Sequence, residues 1–488
     1  MLVVEVTLTL RFTGFEGEDN RTCHSVRDGK KFQRQTVRDN FDVVIVGAGI
    51  SGLTSAYKLK DKLTVKVIEK EDKIGGASRR GKWNGIYYSY GTADTGSSYE
   101  IEYEGKRINF LKPFFEELNI PWKRIADPSD AFLFRDHLVI DPFCRCSPDL
   151  PASKEERKGF EDALVYIEEF KEKYGEPTIP PEASIPKCSE LDKKNLREIF
   201  SNAGNYFLLF LDRYSESTFG APAKEISAFE GLYYLTRELG ERFACPGGNA
   251  CVSESLGERL EGKVELNSTV ALIEQEKDSC YVTYVDQKGA AVTVQSKAVI
   301  MACQKHYAPY IIKGLPEDQK KAFRNVRYDS FIVANILAND LFYDAAFATY
   351  FDNTLFTDMV IADWMVTDGK KKVGSGEPEV YTLYCPLMAR GRFRLLTEPA
   401  ETWINQITKG LNTYFPEAEK KIEDIRLFRY GHHYVLGYPG FITGPRMIAK
   451  KPFGNIFFSK DDMEGIPCLE GAVWSGLDAA DKAIEKIS

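Results

Sequence analysis

Residues 41–76 constrain this chain most, because they read as a strand, a glycine turn, a helix and a second strand. The first strand ends at Gly47, and residues 47–52 have the spacing GxGxxG. In such a unit the first glycine permits a sharp turn, the second lets backbone approach a pyrophosphate, and the third lets the helix lie close to the strand. The second strand ends at Glu69, whose carboxylate can accept the hydroxyls of an adenosine ribose. The sequence therefore predicts a bound dinucleotide.

Both NAD and FAD fit this motif, and the stretch that follows favours FAD. Residues 73–80 read KIGGASRR and come directly after the acidic strand end. A diglycine loop with arginines suits a second approach of backbone to phosphate. The cofactor residues predicted from this end of the chain are Gly47, Gly49, Ile50, Gly52, Glu69, Lys70, Gly76, Ala77, Ser78 and Arg79.

Length and charge narrow the class of protein. A chain of 488 residues is expected to form two domains. A hydrophobic content of 43% and a charged content of 28% are typical of soluble globular proteins. The net charge of −8 argues against a nucleic-acid partner and favours a small-molecule substrate. No apolar run approaches the ~20 residues of a membrane span, while peripheral membrane contact and a homo-oligomer are left open.

The ten cysteines show no CxxC pair and no zinc-like spacing with the five histidines. Cys144 and Cys146 are spaced too closely for an easy disulfide. We therefore predict reduced thiols, no metal site, and a reducing, cytoplasmic location.

Residues 1–40 are predicted to be an N-terminal extension with a strand near 2–12, no targeting peptide, and a flexible polar stretch over 16–40. The FAD-binding domain is predicted in three parts, 41–110, 246–325 and 426–488. The substrate domain is predicted in two parts, 111–245 and 326–425, and its helical stretch 153–238 is interpreted as a lid or substrate wall.

The C-terminal end carries a second glycine turn. A strand ends in acids at 461–462, and residues 465–476 lead into a helix with closely spaced alanines. The backbone N–H groups of Glu470 to Ala472, with Leu469 beside them, are expected to face the pyrimidine edge of a flavin, where negative charge develops on reduction. The two glycine turns are predicted to close on one flavin.

Taken together, GAGISGL with Glu69, the IGG loop, PGGN at 246–249, AVIMAC at 298–303 and LEGAVWSGLDAA at 469–480 resemble the FAD-dependent amine oxidase superfamily. That group includes monoamine and polyamine oxidases, protoporphyrinogen oxidase and phytoene-type desaturases. The resemblance implies an α/β fold, with a glutathione-reductase-like, FAD-binding Rossmann domain interleaved with a mixed-sheet and helical substrate domain. It also implies contacts from Val270 to the adenine, from Ser51 to the pyrophosphate, and from Asp461 to the ribityl chain or pyrophosphate.

The chain departs from that family's pattern at three places. Ala77 stands where an arginine usually follows the diglycine, so phosphate charge must come from Arg79 or Arg80. Val333 stands where many amine oxidases have a lysine. Residues 431–434 read GHHY and lack the cysteine that tethers the flavin in monoamine oxidase, so FAD is predicted to be non-covalent.

We predict a flavin oxidoreductase that removes a hydride to flavin N5, oxidising a C–N bond of an amine or amino-acid derivative. Tyr434, His433 and His432 are the predicted catalytic residues, against the alternative that the two histidines lie on a surface strand. Three other functions stay open: a desaturase or isomerase acting on a C–C bond of an apolar substrate with a non-oxygen acceptor, a non-catalytic flavin-binding protein, and an NAD-dependent dehydrogenase.

Overall fold

The computed structural model of the chain describes residues 11–95, 100–103, 106–134, 137–143 and 150–488. Its strands are β1 (Arg11–Gly17), β2 (Val37–Val46), β3 (Val65–Ile68), β4 (Arg80–Trp83), β5 (Ile86–Ser89), β6 (Asp94–Thr95), β7 (Glu100–Tyr103), β8 (Lys106–Asn109), β9 (Lys123–Arg124), β10 (Asp130–Phe134), β11 (His137–Ile140), β12 (Phe243–Ala244), β13 (Val264–Glu265), β14 (Thr269–Glu276), β15 (Ser279–Val285), β16 (Ala291–Met301), β17 (Phe331–Ala338), β18 (Ala348–Phe351), β19 (Asp358–Ile361), β20 (Glu379–Pro386), β21 (Ile422–Tyr430) and β22 (Ile456–Phe458). Its helices are α1 (Arg21–Arg27), α2 (Ile50–Leu59), α3 (Leu111–Leu118), α4 (Lys154–Tyr174), α5 (Ile185–Asp192), α6 (Leu196–Ile199), α7 (Gly204–Phe219), α8 (Ala228–Glu238), α9 (Ala250–Glu258), α10 (Ala308–Ile311), α11 (Glu317–Arg324), α12 (Trp364–Thr367), α13 (Met388–Gly391), α14 (Arg394–Thr397), α15 (Ala400–Tyr414), α16 (Ala418–Lys421), α17 (Pro445–Ala449) and α18 (Leu469–Ile487).

The first sheet has seven strands, in the order β13-β3-β2-β16-β15-β14 with β22 pairing with β16. Strands β13, β3, β2, β16 and β22 pair in parallel, whereas β14 and β15 form an antiparallel meander with β16. Val43 and Ile45 of β2 pack into the cluster that contains α2 and α18, and Val44 faces the opposite cluster. Both faces of β2 are therefore covered, as a parallel strand requires, and this explains its continuous apolar run.

The turn after β2 depends on two glycines. Gly47 has a φ of +104°, a conformation that residues with a Cβ rarely adopt. A Cβ on Gly52 would lie 2.0 Å from the Gly47 carbonyl oxygen, so α2 can lie this close to the turn only with glycine at position 52. These are the structural roles that the GxGxxG spacing predicts for the first and third glycines.

The C-terminal helix α18 packs directly on α2. A Cβ on Gly476 would lie 2.5 Å from the Ser51 carbonyl oxygen, and the Ser55 hydroxyl donates to the Gly476 carbonyl at 2.8 Å. The Ser51 and Ser459 hydroxyls are hydrogen-bonded to each other. The glycine turns from the two ends of the chain therefore lie side by side.

The second sheet is mixed and has eight strands, in the order β1-β21-β17-β20-β19-β18-β10-β11. Its strand β17 is buried at every position, and Trp403, Ile407 and Leu411 of α15 belong to the same core cluster. The predicted α/β architecture, a Rossmann-type sheet interleaved with a mixed sheet and helices, is confirmed.

A helical layer formed by α4 to α8 packs against β10 of the second sheet. The rings of Phe160 in α4 and Phe207 in α7 meet edge to face at 5.1 Å, and Phe210 contacts Phe132 of β10 at 5.3 Å. These aromatic contacts explain the helical spacing of the apolar residues in this part of the sequence. Among the helices of the described residues, none has the length and apolarity to cross a bilayer.

The prediction of a flexible stretch over 16–40 is wrong. Strand β1 pairs in parallel with β21 in the second sheet, and β2 starts at Val37 in the first sheet, with α1 between them. Sequence pattern misses this arrangement because the strand partner of Arg11 is Asp424, at the other end of the chain. Most of the predicted strand at 2–12 lies outside the described residues.

Two further strand predictions differ from the structure. Strand β21 runs through residue 426, where we predicted a domain boundary, and pairs along its length with β17 of the second sheet. The stretches 292–294 and 298–303, read as two strands, belong largely to the single long strand β16. The division of the chain into domains remains a prediction.

The prediction of reduced thiols throughout is also wrong, because Cys245 and Cys251 form a disulfide. The loop that carries PGGN lies between them and returns the chain so that their Cα atoms are 6.6 Å apart. A spacing of six residues carries no such signal without the turn geometry. Cys144 and Cys146 lie outside the described residues.

We expect Gly52→Ala to lower the free energy of unfolding of the flavin-free protein by about 1–3 kcal/mol, because its Cβ would meet the Gly47 carbonyl oxygen at 2.0 Å. Gly49→Ala is the matched control, since no atom lies within 4 Å of the Cβ position there. Urea unfolding curves of the two apoproteins measure the difference. Equal unfolding midpoints would contradict the need for glycine at position 52.

Candidate active site

A large cavity runs from the first sheet to the second. It begins where β2 and β3 end and extends to β18, β19, β20 and β21. Its empty volume, including space open to solvent, is about 2410 Å³. The predicted site residues that line it are Gly47, Gly49, Ile50, Ser51, Glu69, Lys70, Gly76, Ala77, Ser78, Arg79, Val270, Asp461, Leu469, Glu470, Ala472, His432, His433 and Tyr434. Gly52 packs against the turn instead, as described above.

Glu69 lies at the end of β3, where the sequence predicts a ribose-binding carboxylate. Its Oε2 accepts from the Ala48 N–H at 2.6 Å, and its Oε1 accepts from the Glu71 N–H at 2.9 Å. Burial raises the pKa of Glu69, although these two N–H donors and Lys70 lower it. The two N–H groups hold the carboxylate in place at the cavity wall.

The residues present fit FAD. The Cβ position at Gly49 has no atom within 4 Å and lies at the start of α2, so backbone is open to a phosphate group there. The diglycine loop reaches the same place, because Gly49 and Gly75 form a β-bridge. Glu69, the start of α2 and the loop 75–79 would hold the adenosine and pyrophosphate parts.

Two groups that are predicted to contact the cofactor already have hydrogen-bond partners within the protein. The Val270 carbonyl accepts from the Tyr307 hydroxyl at 3.1 Å. Asp461 is hydrogen-bonded to Lys460, and burial raises the pKa of Asp461. The contacts of Val270 and Asp461 with the cofactor stay predictions.

The C-terminal helix differs in detail from the expectation. The Gly471 N–H donates to Cys468 Sγ at 3.2 Å, and the Ala472 N–H donates to the Cys468 carbonyl at 3.1 Å. Both N–H groups therefore have acceptors within the first turn of α18, and contact of residues 470–472 with a flavin stays a prediction. The Glu470 carboxylate accepts from Arg237 at 2.8 Å and from the Thr95 hydroxyl at 2.9 Å.

The three predicted catalytic residues lie in the cavity wall. The His433 ring is stacked between Tyr430 and Tyr434, with centroid distances of 4.2 Å on each side. His433 is only 7% exposed, so the alternative of a surface strand is wrong. The His432 ring stacks on His306 at 4.1 Å.

These side chains are uncharged at neutral pH. Burial lowers the pKa of His433 to about 3, although the nearby Glu18 carboxylate raises it. Burial also lowers the pKa of His432 to about 3 and raises the pKa of Tyr434. His433 Nε2 is buried and has no hydrogen-bond partner within the residues that the structure describes. The wall is therefore a stack of neutral rings.

The distal half of the cavity is the part lined by Arg237, Glu238, Arg242 and Asp358. Its two arginines are held by carboxylates. Arg242 Nε donates to Asp94 at 2.7 Å, and the same guanidinium pairs with Asp130. Arg237 pairs with Glu470 at 2.8 Å. The charges of Arg237 and Arg242 are therefore already balanced by the protein.

Two further carboxyl groups line the distal half, and both are shifted by burial. Glu238 accepts from the Tyr214 hydroxyl at 2.8 Å, and burial raises its pKa although Arg242 lowers it. Asp358 is 6% exposed and accepts from the Thr357 hydroxyl at 2.7 Å. Burial raises the pKa of Asp358 to about 6, although hydroxyl hydrogen bonds and a nearby arginine lower it. Neither carboxyl forms an ion pair within 4.0 Å to any of the described residues.

The family profile of flavin-containing amine oxidoreductases matches residues 50–484. The chain belongs to this family. It is 23% identical to the oxidoreductase PigB of a Serratia species, over 91% of this chain and 75% of that protein. It is 24% identical to a flavin-containing amine oxidase of Oncorhynchus mykiss, over 91% of this chain and 86% of that protein. Cyclohexylamine oxidase from Brevibacterium oxydans shares the fold with a TM-score of 0.69 at 16% identity, over 92% of this chain and 99% of that one.

Membership confirms the predictions of FAD as the cofactor and of an FAD-dependent oxidoreductase. Membership of this family also supports the predicted oxidation of a C–N bond. The structural likeness by itself establishes the fold.

Sequence reasoning missed the part of the cavity formed by the N-terminal segment. Glu18, Asn20, Cys23 and His24 line the cavity beside Lys70. Burial would raise the pKa of Glu18, but Lys70 and other nearby groups hold it below its ordinary value. No motif marks these residues, because β1 and β21 bring them here only in the folded protein.

We propose that Arg79, and not Arg80, supplies the phosphate charge that Ala77 lacks in this member of the amine oxidoreductase family. Arg79 lines the cavity, and its Nε donates to the Gly76 carbonyl at 2.8 Å. Arg80 is held by Glu254, at 3.0 Å from Nε, and by the Pro246 carbonyl, at 2.8 Å from Nη1.

Arg79→Met should weaken FAD binding to the apoprotein by roughly tenfold to a hundredfold, because a charge-assisted hydrogen bond to phosphate is lost. Arg80→Met is the matched control and should leave FAD affinity unchanged. Quenching of FAD fluorescence on titration with apoprotein measures both. Equal losses in the two variants would contradict the assignment of Arg79.

Proposed function

We propose that this protein oxidises a C–N bond of a cationic amine held in the distal half of the cavity. The observation that carries the proposal is the charge of that region: Asp358 and Glu238 line it without an ion pair among the described residues, while Arg237 and Arg242 are already paired. An ammonium group would restore the charged form of both carboxyls. The arginines have no free charge for the carboxylate of an amino acid.

The residues around the substrate would position it and take up the proton that leaves its ammonium nitrogen. Asp358 and Glu238 hold the ammonium end, and the stacked rings of His433 and Tyr434 form an uncharged wall that orients the reacting carbon and excludes water. FAD, when bound, supplies the hydride acceptor. The nitrogen must lose a proton before its neighbouring carbon gives up a hydride, and the carboxylate that holds it, Glu238 or Asp358, would accept that proton.

A desaturase acting on an apolar substrate is the second candidate. Val333 supports it, because this fully buried side chain stands where many amine oxidases have a lysine. The charged distal half argues against it, since an apolar chain would leave buried carboxyl groups without a polar partner. Anaerobic bleaching of the flavin by amines, and not by polyenes, would decide for the amine.

Substrate binding should depend on the charge of Asp358. Its pKa is raised to about 6, so the carboxylate forms as pH rises from 5 to 8, and affinity for a cation should rise with it by about tenfold. A quaternary ammonium competitor is the probe because its own charge does not change with pH. Its dissociation constant is measured from the perturbation of the flavin absorbance.

Asp358→Asn should remove the part of the pH dependence centred near pH 6 and leave the part from Glu238, whose pKa is raised to about 7, whereas Asp344→Asn, which lies outside the cavity lining, should keep both. The uncharged tert-butyl isostere of the competitor should bind with no pH dependence to any of the three proteins. Equal pH dependence for the charged and uncharged probes would contradict recognition of a cation.

His433→Ala and Tyr434→Ala should each slow anaerobic flavin reduction by about tenfold or more, because the wall that orients the substrate is lost. Flavin content should stay that of the wild type. His137→Ala, on β11 and outside the cavity lining, is the control. Unchanged reduction rates in stopped-flow measurements would remove both residues from the substrate site.

A further inference from the structure

Two apolar side chains project from the surface segment that links β20 to α15. Phe393 is 70% exposed and Leu396 is 73% exposed, the highest values for large apolar side chains among the described residues. They lie three positions apart, at the start and within the short helix α14. The two side chains therefore project together from one surface turn.

The same segment is basic, although the whole chain has a net charge of −8. Arg390 is exposed, and Arg392 and Arg394 are partly exposed. Among the described residues, Glu398 is the carboxylate that pairs with this segment, through Arg394 at 2.6 Å. Arg429 adds a further positive charge next to the segment, because its Nη1 donates to the Leu395 carbonyl at 3.1 Å. Arg390 is thus the exposed positive charge beside the two apolar side chains, with Arg394 and Arg429 near it.

Hydrogen bonds to neighbouring residues of the protein fix the backbone of this segment. The Arg392 guanidinium donates to the carbonyls of Gly431 and Tyr328, and the Ser330 hydroxyl donates to the Met388 carbonyl at 2.7 Å. Leu395 is buried and belongs to the core cluster of the second sheet. Phe393 and Leu396 are therefore presented to solvent by an anchored backbone, and they are not free to fold inward.

We propose that residues 388–397 dock on the surface of an anionic phospholipid bilayer, with Phe393 and Leu396 entering the headgroup region and Arg390 and Arg394 facing lipid phosphates. Apolar side chains beside arginine are the combination that binds to such interfaces. The apolar area of two side chains is far smaller than the about 800 Å² per partner that a stable protein interface buries. This argues against a second copy of the chain as the partner.

Sedimentation of the FAD-loaded full-length protein with vesicles tests this proposal. Vesicles of phosphatidylcholine with about 30% phosphatidylglycerol should bind the protein, and pure phosphatidylcholine vesicles should bind it at least about fivefold less. Binding to the anionic vesicles should fall as salt is raised, because the arginine charges are screened.

Phe393→Asp combined with Leu396→Asp should reduce vesicle binding at least about fivefold, and Arg390→Glu should reduce it while leaving the apolar residues in place. The matched control is Val366→Asp combined with Val373→Asp, which makes the same change of charge at exposed apolar residues elsewhere, 59% and 47% exposed. It should bind like the wild type.

Three outcomes would overturn the proposal. One is the absence of wild-type binding to anionic vesicles. Another is equal loss of binding in the two double variants, which would reflect net charge alone. The third is a wild-type dimer in light-scattering measurements that the Phe393 and Leu396 variant dissociates, which would assign this surface to a second copy of the chain. Flavin content and thermal midpoints of the variants show that each is folded.

Discussion

The close contact between α2 and α18 is the constraint on which the rest of the structure depends. Gly52 and Gly476 leave no room for a Cβ, and Ser55 bridges the two helices through the Gly476 carbonyl. This contact joins segments more than 400 residues apart, and it fixes where the two glycine turns meet. Helices α2 and α18 pack on the same face of the first sheet, and this holds together the two chain segments that line the cofactor end of the cavity.

A second constraint is electrostatic. Buried carboxyl groups and buried arginines occur in the same cavity, and desolvation penalises every one that lacks a partner. The arginines satisfy this condition within the protein, through Glu470 for Arg237 and through Asp94 and Asp130 for Arg242. Among the described residues, the Asp358 side chain has only hydroxyl groups as hydrogen-bond partners, and burial raises its pKa because no ion pair offsets the desolvation. The proposed cationic amine would supply the missing partner.

Local pattern was sufficient where neighbours in sequence determine the structure. The β2 to α2 turn, Glu69 at the end of β3 and the glycine turn before α18 each follow from spacing and residue type within one short stretch. Pattern failed where the partner is remote. Strand β1 pairs with β21, and Asp358 of β19 lies near Arg213 of α7 only because the helical layer packs on the second sheet. A buried carboxyl group looks in sequence like any surface acid.

Arg392 shows how surface and cavity are connected. Its guanidinium sits on the carbonyls of Gly431 and Tyr328, and burial lowers the pKa of the Arg392 side chain although Asp329 raises it. A largely desolvated guanidinium is held in position by the hydrogen bonds that it donates. His432 follows Gly431 directly and lines the cavity. The basic surface segment and the ring-lined wall therefore share one anchor, the Arg392 guanidinium.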